Sequence, residues 1–194
     1  MRVATFAFAL MGALFAAGAA LAQVAPPKVL IQTSIGGITV ELDPTHAPIS
    51  VQNFLRYVNE HHYDGTIIYR VVPGFVIQAG SYEASGKERP AHESIPLEAA
   101  NGLSNLRGAI AMARATEPNT ATSEFFINLV DNVRLDRAPL DTDGKTGYAV
   151  FGHVVSGLDV VDAIAAVPLG GGPGPFAANS PTMPITIMSV TVVN

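Results

Sequence analysis

Residues 29–34 and 38–42 alternate apolar and polar side chains, the period-2 pattern of half-buried strands, and Gly36-Gly37 between them predicts a two-residue hairpin turn. Thr45 is the predicted N-cap of a helix with Pro48 in its first turn. Ala47, Val51, Phe54, Leu55 and Val58 recur at helical spacing to about His61. Residues 67–72 and 75–79 are apolar runs separated by Pro73-Gly74, a turn dipeptide. Because strand side chains alternate between faces, Arg70 shares a face with Ile68 and Val72, while Val76 and Gln78 point together after the turn. Arg70 and Gln78 are therefore expected on one surface. Residues 80–105 are polar and broken by Gly86, Pro90, Pro96 and Gly102, which predicts loops with one short strand near 93–96. A small-residue strand follows at 109–113, then a turn at 117–120. The strand at 124–129 sets Phe125, Ile127 and Leu129 on one face and Glu124, Phe126 and Asn128 on the other. A loop at 131–147, a strand at 148–155, a short helix to Ala165, an irregular run at 170–175 and a last strand at 184–193 complete the pattern. About eight short strands and two helices without a βαβ rhythm predict a mainly-β fold, an antiparallel barrel closed when the last strand pairs with the first.

Composition changes this picture at the N-terminus. Residues 1–22 carry one cation, Arg2, then an apolar Ala-, Phe- and Leu-rich run ending in Ala20-Leu21-Ala22, the small-x-small form of a secretory cleavage site. The expected division is a signal peptide at 1–22, a linker at 23–28 and one domain at 29–194. The expected location is the periplasm, with no membrane attachment once the signal is removed. The chain of 194 residues contains no cysteine, so the exported domain must rely on its hydrophobic core. The formal net charge of −5, one unit lower without Arg2, argues against nucleic acid or anionic lipid as partner.

Candidate chemistry narrows by elimination. His61-His62 is the one histidine cluster, but adjacent residues on a helix diverge by about 100°, so the pair reads as solvated. With no cysteine and no His-Glu-x-x-His, no metal is expected. No serine stands in a Gly-x-Ser-x-Gly elbow, and the glycines at 170–174 lack the Lys and Ser/Thr of a phosphate loop. Scattered carboxylates leave glycoside hydrolysis open, although a carbohydrate-active barrel would lack tryptophan platforms, the Trp count being 0. What remains is an arginine, an amide and apolar side chains. That set suits binding, or a reaction without covalent chemistry.

Six blocks then carry a resemblance over nearly all of residues 23–194. They are Asn53-Phe54-Leu55, Tyr69 through Phe75, Ile77-Gln78, Gly108 through Arg114, Ser123 through Ile127, and Ala149 through Gly152. In order and spacing the chain resembles the bacterial exported cyclophilins, peptidyl-prolyl cis-trans isomerases. The resemblance implies a closed eight-stranded antiparallel β-barrel capped by two α-helices, with no cofactor. It implies a monomer acting on proline-containing unfolded or exposed polypeptide segments. Arg70 matches the catalytic arginine and Gln78 a substrate-contacting position, from which it would orient Arg70 or the substrate carbonyl. Phe75, Phe126 and Leu135 match the proline pocket, and Ala113 a further substrate contact. Val76, Arg114, Glu124 and Tyr148 occupy substrate-binding positions where the family commonly has Met, Asn, Gln and His, and Arg134 stands where it has Trp or Phe. The expected activity is non-covalent rotation of X-Pro bonds in exported, folding polypeptides. A cyclophilin-like peptide-binding module with little turnover is the alternative, because fold alone does not decide activity.

Overall fold

A computed structural model describes residues 25–137, 146–172 and 175–193; the expected signal peptide and cleavage site lie outside them. The alternation of the first two runs becomes β1 (Lys28–Thr33) and β2 (Gly37–Leu42), each burying every second residue. Their connection is not the expected two-residue turn at Gly36-Gly37. Thr33 Oγ1 donates to Gly36 O at 2.7 Å and accepts from the backbone N–H of Ile35 and Gly36, and Gly37 already pairs with Gln32 as the first residue of β2. Glycine at 36 answers a close approach instead, since a Cβ there would stand 2.7 Å from Val160 Cγ2.

Helix α1 (Pro48–Asn59) buries Val51, Phe54 and Val58 of the stripe read from its spacing, leaves Leu55 half-buried, and also buries Tyr57, which that spacing did not include. Thr45 does not cap it. Asp43 Oδ1 accepts from the backbone N–H of Thr45 and His46, which places Thr45 in a preceding turn, and Ala47 takes the N-cap position. The orphan donors of the first turn go to a distant carboxylate: Glu98 accepts from Ile49 N at 3.0 Å, Ser50 N at 2.7 Å and Ser50 Oγ at 2.7 Å.

The remaining strands are β3 (Thr66–Val72), β4 (Val76–Glu83), β5 (Ala109–Met112), β6 (Phe125–Asn128), β7 (Val150–Ser156) and β8 (Ile187–Val193), with α2 (Leu158–Ala165) between the last two. β4 runs four residues past the expected end because Gly80 adopts φ +119° and lets the strand pass Ser123 O, which would be 2.6 Å from a Cβ at that position. The strand expected near 93–96 is one isolated bridge, Ile95 to Ala121. All strand pairs are antiparallel, in the order β3-β4-β6-β5-β7-β2-β1-β8.

This corrects the closed barrel: the eight-stranded sheet is open and forms a half-barrel. β8 pairs with β1 as expected, but its other edge meets β3 only at one bridge, Ile67 to Thr186, with backbone bonds Gly65 N to Ile187 O and Ile68 N to Ile185 O. A ladder does not continue, for two physical reasons. Pro184 has no N–H to donate, and Ser180 Oγ donates to Tyr69 O, taking the next acceptor on β3.

The sheet's inner face and both helices share one core. Phe54 sits at its centre with ring centroids 5.2 Å from Tyr63, 5.5 Å from Phe125 and 5.2 Å from Phe151. The opposite face of β4, β5 and β6 carries a second, smaller apolar cluster of Val76, Ala109, Ala111, Ala113, Phe126 and Val150. Among the described residues no helix is long and apolar enough to cross a membrane.

Candidate active site

The β3-β4 hairpin decides where the cation stands. Gly74 takes φ +70° in the turn, Phe75 N donates to Val72 O at 2.9 Å, and the resulting register sets Arg70 directly opposite Gln78. Arg70 Nη1 donates to Gln78 Oε1 at 2.9 Å. Gln78 Nε2 donates to Glu124 Oε2 at 3.2 Å, and Ser81 Oγ donates to the other Glu124 oxygen. Arginine is only a donor and a carboxylate only an acceptor, so the amide between them has one orientation that satisfies both. Glu124, expected at a substrate-binding position, accepts from Gln78 and so supports its amide.

Arg70, Gln78, Phe75, Val76, Ala113, Arg114, Phe126, Leu135 and Tyr148 converge on a cleft of about 240 Å³. Each element contributes by alternation. On β4, Ile77 and Ala79 enter the core while Val76 and Gln78 face the cleft. On β6, Phe125 and Ile127 enter the core while Phe126 faces out, paired with Gln78 across the ladder. Ala109-Ile110-Ala111-Met112-Ala113 alternates in size as well, with the large residues inside and the alanines outside. Small side chains on the outer face leave the concavity.

A tenth lining residue escaped the sequence reading. Phe176, in the turn after the glycine-rich run, stacks on Tyr69 at 6.0 Å and 18° and lies under the Arg70 guanidinium at 5.1 Å. The signal was an aromatic beside Gly and Pro with no core pattern to absorb it. Also unread was a ladder of buried amides. Asn132 Nδ2 donates to Phe75 O at 2.9 Å and to Asn128 Oδ1 at 2.9 Å, and Asn128 Nδ2 reaches Asn105 Oδ1 and Ala109 O. This ladder fastens the turn that carries Phe75 to β6.

Among the described residues no histidine lines the cleft. Contrary to expectation His62 is not solvated: it is half-buried, its Nε2 lies 3.1 Å from Gly80 O, and it packs on Tyr57 and Tyr63. Burial lowers its pKa, with the Arg89 charge adding to the effect. Tyr69, behind Arg70, is buried, and burial followed by the Glu124 charge pushes its pKa far up, so it stays neutral. No group at the cleft is thus poised for proton transfer near neutral pH. Among the described residues no three His, Asp or Glu side chains converge as a metal site would require.

Residues 28–192 match the family described as "Cyclophilin type peptidyl-prolyl cis-trans isomerase/CLD". The chain belongs to the cyclophilin family. Its cyclophilin relatives include "Peptidyl-prolyl cis-trans isomerase A" of Dickeya dadantii, 45% identical over 174 residues that cover 90% of this chain and 88% of the relative. A "Peptidyl-prolyl cis-trans isomerase" of Acinetobacter baylyi is 44% identical over 182 residues, 94% of this chain and 92% of its own length. Among solved structures, a Cryptosporidium parvum cyclophilin type peptidyl-prolyl cis-trans isomerase superposes with a TM-score of 0.73 at 25% identity, covering 87% of this chain and 98% of that one. The same protein has also been crystallised in the presence of the dipeptide Ala-Pro, and that structure gives the same TM-score.

Proposed function

We propose that this cyclophilin accelerates X-Pro rotation in exported, folding polypeptides without forming any covalent bond, with Arg70 and the apolar cleft as the working parts. Resonance holds the prolyl amide planar behind a barrier of about 18–20 kcal/mol, and the uncatalysed step takes tens to hundreds of seconds. In either planar isomer the prolyl nitrogen lone pair is delocalised; in the twisted state it is localised and can accept a hydrogen bond. A guanidinium aimed at that nitrogen therefore binds the twisted state better than both ground states, which is the requirement for catalysis. Phe75, Val76, Phe126 and Leu135 hold the proline ring while the preceding carbonyl turns. Gln78, itself held by Glu124, keeps the guanidinium plane in place, so little reorganisation accompanies the reaction.

The observation that carries this reading is the register pairing of Arg70 with Gln78 at the mouth of an apolar cleft. It favours the enzyme over a peptide-binding module, which needs the cleft but not an aligned cation. Exchange NMR on an Ala-Xaa-Pro tetrapeptide tests it: added protein should raise the cis-trans exchange rate at catalytic concentrations. A peptide that binds with no rate increase overturns the reading in favour of the module. Export rests on the 1–22 signal pattern. Intact mass of the secreted product should correspond to a start at Gln23, and a mass retaining 1–22 would reject it.

A further inference from the structure

Three arginines surround the cleft, and each lies on an aromatic ring: Arg70 over Phe176 at 5.1 Å, Arg114 over Tyr148 at 4.7 Å and Arg134 over Phe75 at 4.7 Å. None of the three is in an ion pair with a carboxylate among the described residues. Four of the six other described cations are paired: Lys28 with Glu41, Arg56 with Glu60, Arg89 with Glu83 and Arg107 with Asp162. Lys87 and Arg137 also lack such a partner but stack on no ring. The acids beside the cleft are engaged otherwise. Asp131 accepts from Arg107 N, Asp136 from Ser104 Oγ and from Asn105 N and Nδ2, and Glu124 from Gln78 and Ser81.

An aromatic face attracts a guanidinium and fixes its plane, but it neither cancels the charge nor uses the in-plane N–H donors. Arg114 gives Nε to Gly147 O and Nη1 to Ala115 O and Thr116 O, which leaves Nη2 without an acceptor among the described residues. Arg134 is exposed and donates to no group among the described residues. Both therefore present oriented, unneutralised donors at the walls that hold the proline ring. In a chain of net charge −5 this local excess of positive charge is opposite in sign to the protein as a whole.

We propose that the cleft selects prolyl segments bearing a carboxylate beside the proline, with Arg114 and Arg134 as the specificity-determining residues and Arg70 left to the rotating amide. The inference rests on the isomerase reading of the cleft. Charge-assisted N–H to carboxylate bonds would hold the acidic side chain, and a lysine at the same place would be repelled. Since the overall charge is negative, the preference acts at contact rather than through long-range steering.

The test is kcat/KM by exchange NMR for matched Ala-Xaa-Pro-Yaa peptides, with Xaa and Yaa varied in turn among Ala, Glu and Lys. The Glu peptide at one of the two positions should exceed its Lys counterpart by about fivefold or more at about 0.05 M salt. Raising salt to about 0.5 M should bring the ratio toward one. Arg134→Gln should at least roughly halve the ratio, and Arg134→Lys should restore part of it. Equal kcat/KM for Glu and Lys peptides at both positions overturns the proposal while the isomerase reading stands. A ratio that persists in Arg114→Gln/Arg134→Gln also overturns it. Turnover of no peptide in the series overturns both.

Discussion

The two faces of β4, β5 and β6 are built from one stretch of alternation and do opposite things. The inner face carries Ile77, Ala79, Ile110, Met112, Phe125 and Ile127 into a core closed by Phe54, Phe151 and the two helices. The outer face carries Val76, Ala109, Ala111, Ala113 and Phe126, of which Val76, Ala113 and Phe126 line a cleft that the described residues leave unfilled. The difference is one of volume rather than polarity: large residues fill the inside, while alanines on the outside leave a hollow that Phe75, Phe126, Leu135 and Tyr148 wall. Close packing stabilises the first face, and incomplete packing makes the second available to a ligand. The polar groups divide in the same way. Arg70, Gln78 and Glu124 form a chain of bonds on the cleft side, and no charged side chain enters the inner core.

If the faces are separable, substitutions on each should move different observables. The largest expected effect is Phe54→Ala, which empties the centre of the core. It should cost about 3–5 kcal/mol of stability and lower Tm by roughly 10 °C or more. At temperatures where the variant is folded, kcat/KM should stay within about twofold. A large kinetic loss in folded protein would mean that the core tunes the cleft. Ala113→Leu is the reciprocal change, adding volume to the hollow. It should reduce kcat/KM by about tenfold through KM while shifting Tm by no more than about 3 °C. A collapse of Tm in thermal unfolding would place Ala113 in the core instead.

The smallest effect separates the faces by pH. His62 packs against the core side with a lowered pKa, so the folded state resists its protonation. Below its ordinary value of 6.5 the unfolded chain takes up a proton that the native state refuses. The stabilising contribution is therefore full above that value and is lost as pH falls through it toward the native pKa. Tm should fall between about pH 7 and 5, and His62→Gln should reduce the dependence. Over the same range kcat/KM of folded protein should remain flat, because no histidine or carboxylate lines the cleft among the described residues. A sigmoidal rate profile near neutrality would require an acid or base that this account lacks.

Much of this division was legible before the structure. Apolar runs and alternation located all eight strands, and the hairpin around Pro73-Gly74 placed Arg70 beside Gln78. The Ala-Ile-Ala-Met-Ala and Phe-Phe-Ile runs marked both faces. What could not be read depends on partners far away in the chain. Glu98 caps a helix some fifty residues earlier, Ser180 occupies the acceptor on Tyr69 that a closing strand would need, and Phe176 reaches Arg70 from the C-terminal turn. No local pattern encodes such contacts. The expected closed barrel failed for that reason: alternation reports which strands can pair, not how far a ladder runs. The bond from Gln78 to Glu124 is a contact of the same distant kind, since it joins side chains 46 residues apart.

The most direct test of the account is kcat/KM for X-Pro peptides measured alongside thermal unfolding for Arg70→Ala and Arg70→Lys. Arginine on the cleft face should contribute little to the core, so both variants should unfold within roughly 5 °C of the parent protein. Arg70→Ala should lose about 100-fold or more in kcat/KM, as expected when a positioned donor to the transition state is removed. Arg70→Lys should recover little of it, because a point charge without the planar fork cannot donate to Gln78 and to the prolyl nitrogen in the same geometry. Folded Arg70→Ala with undiminished turnover would contradict the account.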